Sequence, residues 1–471
     1  MVAARILFVI AEMAPLIKIG GLADVGAALP RALREIGLDV RVAMPLYGSI
    51  DRSHVVAKAE LPGSRTLWET DVQGVPVYLL EDDDAFGRAE VYGCDDDNER
   101  FLAFCDGLLE AAGPLNWQPD VLHLNDWHPG LLATRLMANG EHPWAGCALV
   151  CTIHNLGFTG AFDAAFVREH GLQVEDEGFY SSLSQSIAHA DVITTVSPTY
   201  AREITTPDFD GDPAKVLRAR PEPLYGILNG LDQNAFDPMT DEHLAARFGV
   251  GNLNRRRANK TALQRQLGLP EDESIPIVGV VSRLDWQKGM DLAAQAIDEL
   301  LQRRQLQFVV LGQGDKKHER ILLALAKRHP KQVRVKIAFD APLGQLIYGG
   351  SDLFLMPSRY EPCGLGQLIA MRYGAVPVVR RTGGLADTVT EFRASDDSGT
   401  GFLFEEATTE AVAEALEAAL IAYQDEGSWR RLQERAMDQD FSWQATAIEY
   451  GALYDEALEL KRTDAVQAPN G

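Results

Sequence analysis

Two series of short apolar segments, with helical stretches between the segments, constrain the fold of this chain more than any other feature. The first series comprises RILFVI (5–10), DVRVAMP (39–45), VPVYLL (75–80), VLHLN (121–125), ALVCTIH (148–154), VITTVS (192–197) and GILN (226–229). The second comprises IPIVGVVS (275–282), LQFVVLG (306–312), VRVKIAF (333–339), LFLMPS (353–358) and AVPVVRR (375–381). Alternation of this kind is typical of parallel, doubly wound sheets, so we predict an α/β fold with two Rossmann-like domains.

A polar stretch without a strand pattern separates the two series. It contains NLNRRRANKTALQRQLGLPEDES (252–274), which has a polar, helical pattern. A chain of 471 residues is also longer than one hydrophobic core usually organises. We therefore predict four parts: an N-terminal domain at 1–240, an interdomain segment at 241–274, a C-terminal domain at 275–442 and a C-terminal helix at 443–471.

The charge of the chain limits its partners. The formal net charge is −24 at pH 7, and the calculated pI is near 4.8. Such a surface repels nucleic acid and anionic lipid, so we expect neither as a partner. No apolar run approaches the length of a membrane span, and the N-terminus does not fit a signal peptide. An anionic small ligand would therefore need a local cluster of Lys and Arg.

Cysteines and acidic runs bear on metals and on location. The five cysteines are odd in number and lack paired metal-ligand spacing, which favours free thiols in a reducing cytosol and a cytoplasmic protein. The runs Asp82–Asp84 and Asp95–Asp97 could suggest a metal site of the Asp-x-Asp kind. No histidine or fixed glycine accompanies them, so we favour solvated loops and expect no bound metal.

The segment KIGGLADV (18–25) lies between the first strand and a helix. Gly20 and Gly21 allow the backbone to approach a ligand closely, and the start of a helix offers unpaired N–H groups to an anion. Lys18 adds a positive charge. A plain tight turn would have the same residues. The segment matches neither the G-x-G-x-x-G fingerprint nor a Walker A motif, which argues against a nicotinamide-dependent oxidoreductase.

Two later segments also follow apolar strands. VVSRLDWQKGMD (280–291) contains Arg283 and Lys288, which could clamp a diphosphate or simply form a solvated basic loop. In MPSRYEPCGLGQLIAMRYGAVPVVRRTGGLADTV (356–389), Glu361 follows a strand and could bind sugar hydroxyls. The turn that begins at Thr382 could present backbone amides to a phosphate. A surface glutamate is more often only solvated.

Polar side chains at other strand ends allow both functional and structural interpretations. His128 and His154 follow the strands VLHLN and ALVCTIH, and Asn229 ends GILN. A lone histidine more often satisfies a core or caps a helix, and Asn-Gly is a common turn. No Ser-His-Asp nucleophile elbow is present.

Taken together, these segments closely resemble the bacterial glycogen synthases and plant starch synthases. The matching segments cover nearly the whole chain: KIGGLADVGAALP, HLNDWH, TIHNLGFTG, GILNGLD, SRLDWQKGMD and SRYEPCGLGQLIAMRYGAVPVVRRTGGLADTV. The resemblance implies a retaining glucosyltransferase of the GT-B fold. It implies a donor bound between the two domains and a C-terminal helix that packs back on the N-terminal domain.

The resemblance also implies roles for particular residues. Those expected at the donor diphosphate are Lys18, Arg283 and Lys288, with the backbone near Gly20, Gly21, Thr382, Gly383 and Gly384. Those expected around the glucosyl unit are Asp24, Asp126, His154, Asn155, Asn229, Glu361, Cys363 and Gly364. Phe339 matches a position whose aromatic side chain stacks on the base. Glu361, His154, Lys288 and Arg283 are the expected catalytic residues.

The implied chemistry needs neither a metal nor a cofactor, because fixed cations stabilise the departing nucleoside diphosphate. Retention without a nucleophile on the β-face suggests same-face attack by the acceptor, with Glu361 orienting hydroxyls. The sequence departs from the family pattern at Ile19 and Gly366, where threonine is common. Ile369 replaces a second glutamate found in related GT-B families, as expected for glycogen synthases.

We therefore expect an ADP-glucose-dependent α-1,4-glucan synthase that elongates glycogen or a maltooligosaccharide. Two alternatives remain: a synthase that uses UDP-glucose, and a catalytically silent glucan-binding regulator. The joint presence of Lys18, His154, Arg283, Lys288 and Glu361 argues against the silent regulator.

Overall fold

The computed structural model describes residues 3–174 and 180–467. The chain divides into two compact units. Unit 1 comprises Met1–Gly230 and Trp443–Gly471, and unit 2 comprises Leu231–Ser442. Among the described residues, no helix is both long enough and apolar enough to cross a membrane.

Unit 1 is built from alternating strands and helices. Its strands are β1 (Arg5–Val9), β2 (Asp39–Pro45), β3 (Val56–Leu61), β4 (Arg65–Val72), β5 (Val75–Glu81), β6 (Val121–Asn125), β7 (Ala148–Ile153), β8 (Val192–Thr195) and β9 (Leu224–Gly226). Its helices before residue 230 are α1 (Gly21–Glu35), α2 (Asp83–Phe86), α3 (Asp97–Ala111), α4 (Gly130–Ala138), α5 (Ala164–Glu169), α6 (Ser182–His189), α7 (Pro198–Glu203) and α8 (Asp212–Ala219).

In the described part of unit 1, nine strands form one sheet in the order β3-β4-β5-β2-β1-β6-β7-β8-β9. Within this order, the neighbouring strands in the stretch β5-β2-β1-β6-β7-β8-β9 are parallel, as predicted. The antiparallel ribbon of β3 and β4 at one edge was not predicted, because β3 is largely exposed and has no apolar run. Gln73 and Gly74 join β4 to β5 at φ +53° and +84°, the geometry of a two-residue hairpin turn.

Unit 2 contains a smaller parallel sheet. Its strands are β10 (Ile277–Val281), β11 (Gln307–Gly312), β12 (Val333–Ile337), β13 (Leu353–Met356), β14 (Val376–Arg380) and β15 (Phe402–Phe404). Within the described residues they pair in the order β12-β11-β10-β13-β14-β15, all parallel. Its helices are a 3₁₀ helix (Val250–Arg255), α9 (Arg256–Gln266), α10 (Met290–Leu300), α11 (Lys316–Arg328), α12 (Ala341–Gly350), α13 (Gly366–Arg372), α14 (Gly383–Thr388), α15 (Thr409–Ala422) and α16 (Glu426–Met437).

The segment predicted as an interdomain connection, 241–274, packs instead within unit 2. Helix α9 lies against α12. The buried guanidinium of Arg256 donates to the carbonyl oxygens of Tyr348 and Tyr373, near the ends of α12 and α13. Lys260, also buried, pairs with Asp352 at 2.8 Å. The segment has a polar composition because its long cationic side chains cap helices and form a buried ion pair, which periodicity alone does not indicate.

The last helix, α17 (Trp443–Gln467), packs on α1 and on β7 of unit 1. A buried polar network supports this packing. The His123 ring hydrogen-bonds through Nδ1 to the Tyr454 hydroxyl at 2.8 Å and through Nε2 to the Thr152 hydroxyl at 2.6 Å. Gly230 permits close contact with Trp443, because a Cβ there would lie 2.7 Å from the Trp443 ring.

The parallel strands bring the motifs of each unit to one edge of its sheet. In unit 1, the loops after β1, β6 and β7 carry the segments that begin at Lys18, Asp126 and His154. In unit 2, the loops after β10, β13 and β14 carry Arg283 with Lys288, Glu361, and the Thr382 turn. Open α/β sheets bind ligands at the carboxyl ends of their strands, so these two edges are the candidate sites.

Candidate active site

The glycine segment of unit 1 is held by a carboxylate of the chain itself. Glu12 is fully buried, and its Oε2 accepts hydrogen bonds from the backbone N–H of Ile19 at 2.5 Å and of Gly20 at 3.2 Å. Gly20 is extended, and α1 begins at Gly21. The N–H groups of Ile19 and Gly20 therefore already have an acceptor in Glu12, and the expected contact of the backbone near Gly20 and Gly21 with a donor diphosphate stays a prediction.

Lys18 and Asp24, both predicted at the donor, are paired with each other. The Lys18 ammonium lies 2.6 and 2.8 Å from the two carboxylate oxygens of Asp24. Both side chains are partly exposed, so the pair is accessible to solvent. Ile19 points its side chain outward and is 57% exposed, so its replacement of threonine disturbs no packing in the described structure.

Asp126 forms the centre of the β6 and β7 loops. It is buried at φ +59°, and its Oδ1 accepts from the backbone N–H of His154 at 2.7 Å and of Asn155 at 3.3 Å. Burial raises the pKa of Asp126 to about 7, although the two amide hydrogen bonds act to lower it. Asp126 therefore fixes the segment that carries His154, and its carboxyl group titrates near neutral pH.

The hydrogen bonds of Asn125 define the tautomer of His154. The Asn125 amide nitrogen donates to the carbonyl oxygens of Val9 and His123, both at 3.2 Å, so its Oδ1 is the group that faces His154 Nε2 at 2.9 Å. Nε2 must then carry the proton and Nδ1 the lone pair. Burial lowers the pKa of His154 to about 3, so the ring is neutral at physiological pH.

The remaining polar side chains of unit 1 differ in their availability. The Asn155 side-chain oxygen accepts from the Gly157 N–H at 3.0 Å, which shapes the local turn. The Asn229 side-chain oxygen is buried and has no hydrogen-bond partner among the described residues. A buried acceptor without a partner costs free energy, and the expected contact of Asn229 with a ligand stays a prediction.

Glu361 and Lys288 form an ion pair in unit 2. Lys288 Nζ donates to Glu361 Oε2 at 2.5 Å, and the Ser358 hydroxyl donates to the same oxygen at 3.0 Å. Glu361 is 4% exposed and Lys288 is half-buried. The Arg283 guanidinium is more exposed, and Asp285 at 2.9 Å and Gln287 at 3.0 Å hold it. Cations and a carboxylate thus meet at the carboxyl ends of β10 and β13.

The glycines at 383 and 384 act mainly through close packing. A Cβ on Gly383 would collide with the carbonyl oxygen of Glu361, and one on Gly384 with that of Cys363. The Gly384 N–H donates to the Glu361 carbonyl at 3.1 Å, and the Thr382 N–H donates to the Arg380 carbonyl at 3.0 Å. Chain carbonyls therefore already accept from these two amides, and the expected contact of this turn with a phosphate stays a prediction.

The turn after Glu361 leads directly into α13. Gly364 has φ +77°, a conformation that favours glycine, and Gln367 donates to the carbonyl oxygens of Cys363 and Gly364 at 3.0 Å. Gly366 begins α13, and a Cβ there would lie 3.1 Å from Phe354 and 3.2 Å from Met356. A larger residue at this position would therefore require Phe354 and Met356 to shift by a few tenths of an ångström.

Two exposed aromatic side chains belong to unit 2. Phe339, predicted to stack on a base, is 80% exposed. Trp286 is 56% exposed, and the Arg359 guanidinium lies over its ring at 4.9 Å. A bidentate ion pair with Asp291 holds Arg359 in turn. Trp286, which lies between Arg283 and Lys288 in the chain, was not singled out from the sequence.

The acidic runs have structural roles beyond solvated loops. Asp82 caps α2 by accepting from the Ala85 N–H, and Asp97 is buried beside Arg100 at 2.7 Å. Ligand atoms of Cys94, Asp96 and Asp97 lie within 4.8 Å of one another, as a metal site would require. Asp96 pairs with Arg88, however, and Asp97 accepts two backbone amides. The group is already satisfied by neighbouring donors.

Comparison with known proteins agrees with this arrangement. The family model for the starch synthase catalytic domain matches residues 5–219, and the model for glycosyl transferases group 1 matches residues 259–437. The glycogen synthase of Syntrophotalea carbinolica is 45% identical over 97% of this chain and 99% of its own length. That of Kosmotoga olearia is 41% identical over 97% and 99%.

Solved structures point the same way. The catalytic domain of starch synthase IV from Arabidopsis thaliana, bound to ADP and acarbose, is 32% identical and has a TM-score of 0.88, covering 97% of this chain and 100% of that one. Sucrose-phosphate synthase from Thermosynechococcus elongatus shares the fold at 19% identity, with a TM-score of 0.62, covering 97% of this chain and 99% of that one.

The two parallel-sheet units, the family-model match and the similarity to the starch synthase structure define the chain as a glycosyltransferase of the GT-B fold. Within that class, it belongs to the family of glycogen synthases and starch synthases. The family and fold predicted from the sequence are therefore confirmed.

Proposed function

We propose that this chain transfers glucose from ADP-glucose to the non-reducing end of an α-1,4-glucan, with retention of configuration. Family membership supports the reaction, and ADP in the related Arabidopsis structure supports the donor. The observation within the chain that carries the proposal is the Lys288–Glu361 pair at 2.5 Å, with Arg283 on the same edge of the sheet.

In this proposal, Arg283 and Lys288 bind the diphosphate of the donor. Lys288 has three N–H donors, of which one is directed to Glu361, so the others can reach phosphate oxygens. As the bond from glucose to the diphosphate breaks, negative charge develops on the departing oxygen. Fixed cations that are already oriented stabilise this charge without a metal, which is usually the largest electrostatic contribution to such a step.

Glu361 orients the glucosyl unit in this proposal. Its hydrogen bonds from Lys288 and Ser358 both reach Oε2. Oε1 can therefore accept hydroxyl groups of the sugar. His154 contributes a second acceptor, because its proton is on Nε2 and Nδ1 has the lone pair. Both groups bind hydroxyls and neither forms a covalent bond to the sugar, so retention follows from attack on the face that the diphosphate leaves.

A direct assay tests the reaction. Purified protein is incubated with glycogen and either ADP-glucose or UDP-glucose, and both nucleoside diphosphate release and chain elongation are measured. We expect elongation with ADP-glucose and a new α-1,4 linkage by NMR. A clear preference for UDP-glucose would reject the proposed donor. Glycogen binding without release of either diphosphate would instead support the silent regulator.

Variants of Glu361 test the assigned role. Glu361→Gln keeps the size of the side chain but loses its charge, and we expect kcat to fall about 100-fold or more. Affinity for ADP, measured by calorimetry, should change by less than about threefold, since Arg283 and Lys288 remain. Glu271→Gln, at an exposed pair with Arg265 in the same unit, is the matched control and should retain full activity. Near-normal turnover of Glu361→Gln would reject the assignment.

A further inference from the structure

Glu12 is a buried carboxylate for which the proposed mechanism has no use. It is 0% exposed, and the hydrogen bonds that its side chain accepts within the described residues come from two backbone N–H groups and the Tyr92 hydroxyl, none of which carries a positive charge. Burial raises its pKa. A buried charge without a cationic partner costs several kcal/mol unless hydrogen bonds compensate it. The side chain therefore needs to be explained by the donors that surround it.

The two oxygens of Glu12 bind two different segments of unit 1. Oε2 accepts from the N–H groups of Ile19 and Gly20, which directly follow Lys18 and precede α1. Oε1 accepts from the Tyr92 hydroxyl at 3.1 Å. A carboxylate is planar and rigid, so it fixes the distance between the Lys18 loop and Tyr92. The positive end of the α1 dipole also favours a negative charge at this place.

Tyr92, which hydrogen-bonds to Glu12, also contacts the loop after β6. Its ring lies 5.1 Å from the ring of His128, which stacks on Trp127 at 4.2 Å. Trp127 follows Asp126 in the chain. Both ring nitrogens of His128 are buried and have no hydrogen-bond partner among the described residues, so aromatic packing alone holds that ring in place. A continuous set of contacts therefore runs from the Lys18 loop through Glu12 and Tyr92 to Asp126.

We propose that Glu12 is a positioning residue for glucosyl transfer. It holds the Lys18 loop directly and the Asp126–His128 turn through Tyr92, so that both keep one fixed separation. This role rests on the proposed function, because its effect on turnover requires that the two segments serve the same reaction. A purely structural glutamate would affect the stability of the fold but not the turnover of the folded enzyme.

Three variants separate these possibilities. Glu12→Ala removes all three hydrogen bonds. Glu12→Gln preserves them, because its oxygen can accept both amides and its NH₂ group can donate to the Tyr92 oxygen. Tyr92→Phe removes only the bond to Oε1. Glu60→Gln, at an exposed position of β3 in the same unit, is the control.

We would measure steady-state kinetics for each variant and correct kcat for the fraction of folded protein, determined by circular dichroism. We expect kcat to fall about 100-fold in Glu12→Ala and about 10-fold in Tyr92→Phe, and to stay within about fivefold in Glu12→Gln. In each variant the affinity for ADP should fall by less than kcat does, because Arg283 and Lys288 remain. Unchanged kcat in folded Glu12→Ala, or a loss in Glu12→Gln as large as in Glu12→Ala, would overturn the proposal.

Hydrogen exchange provides a measurement independent of activity. The amides of Ile19 and Gly20 should lose protection in Glu12→Ala and keep it in Glu12→Gln. Residues 126–128 should exchange faster in Glu12→Ala and in Tyr92→Phe. If Glu12→Ala does not fold, Tyr92→Phe still tests the contact between Glu12 and residues 126–128. Unaltered exchange of residues 126–128 in Tyr92→Phe would overturn the proposal. A wild-type protein without transferase activity would instead reject the proposed function.

Discussion

Asp126 illustrates what a single residue contributes at the residue scale. Its backbone adopts a left-handed conformation that aspartate tolerates better than most side chains do. Its carboxylate holds the backbone of His154 and Asn155, and His154 in turn keeps its proton on Nε2 through Asn125. Asp126 therefore acts through hydrogen bonds to backbone amides that come from another strand.

The raised pKa of Asp126 predicts a pH dependence of stability. Its pKa is about 7 in the folded protein and near the usual aspartate value of 3.8 in the unfolded chain, so the folded state binds the proton more tightly. The stabilisation from this group is complete below pH 3.8 and is lost as the pH rises through 7, at ~1 kcal/mol per pH unit. Asp126→Asn cannot titrate and keeps the amide bonds.

The measurement is the thermal unfolding midpoint of the wild-type protein and of Asp126→Asn between pH 5 and 8. The wild-type protein should lose stability relative to the variant as the pH rises to 7, and the difference should level off above that pH. A difference that stays constant over the whole range would contradict the assigned pKa.

Helix α17 shows, at the element scale, how a polar network can hold an element in place. His123, Thr152 and Tyr454 are buried and satisfy one another across β6, β7 and α17. Burial keeps the pKa of His123 well below its usual value, so the ring stays neutral and needs one donor and one acceptor as partners. The network therefore specifies the position of the helix on the sheet.

Tyr454→Phe should lower the free energy of unfolding by about 1–2 kcal/mol, because the His123 Nδ1 atom then loses its buried partner. Chemical denaturation with urea measures this change, and Glu459→Gln on the exposed face of the same helix serves as the control. A change as small as that of the control would mean that the network contributes nothing to the attachment of α17.

At the scale of the whole molecule, the charge distribution affects how an anionic donor can bind. A net charge of −24 does not attract an anionic donor, so binding depends on a few cations at strand ends. Arg283 and Lys288 are oriented by Asp285 and Glu361 in the structure. In the proposed mechanism, fixed cations of this kind stabilise the negative charge that a divalent metal stabilises in other phosphate sites.

This role of fixed cations predicts that transferase activity does not require a divalent metal. Activity with ADP-glucose and glycogen should stay within about twofold after dialysis against EDTA, and added Mg²⁺ should not raise it. Lys288→Met, by contrast, should lower kcat about 100-fold or more at any Mg²⁺ concentration. A loss in EDTA that Mg²⁺ reverses would show that the proposed charge stabilisation is incomplete.

The sequence by itself determined the two parallel sheets, the strands that carry the motifs and the family. Apolar runs that alternate with helices predict parallel strands, and Glu361 and Lys288 were singled out because each follows such a run, whereas their expected roles came from the family resemblance. The length and periodicity of apolar segments are local properties of the chain, so a single sequence is enough to predict the strands and helices.

Only the tertiary structure decided which polar groups form hydrogen bonds with one another. Glu12 occupies the amides that seemed available to a ligand, the amides of Thr382 and Gly384 are taken by carbonyls, and Arg256 caps two helices. Glu12 lies in a loop without periodicity, and Arg256 lies far along the chain from Tyr348 and Tyr373. A buried polar group must find a partner wherever the fold brings one, and that pairing is set by three-dimensional packing.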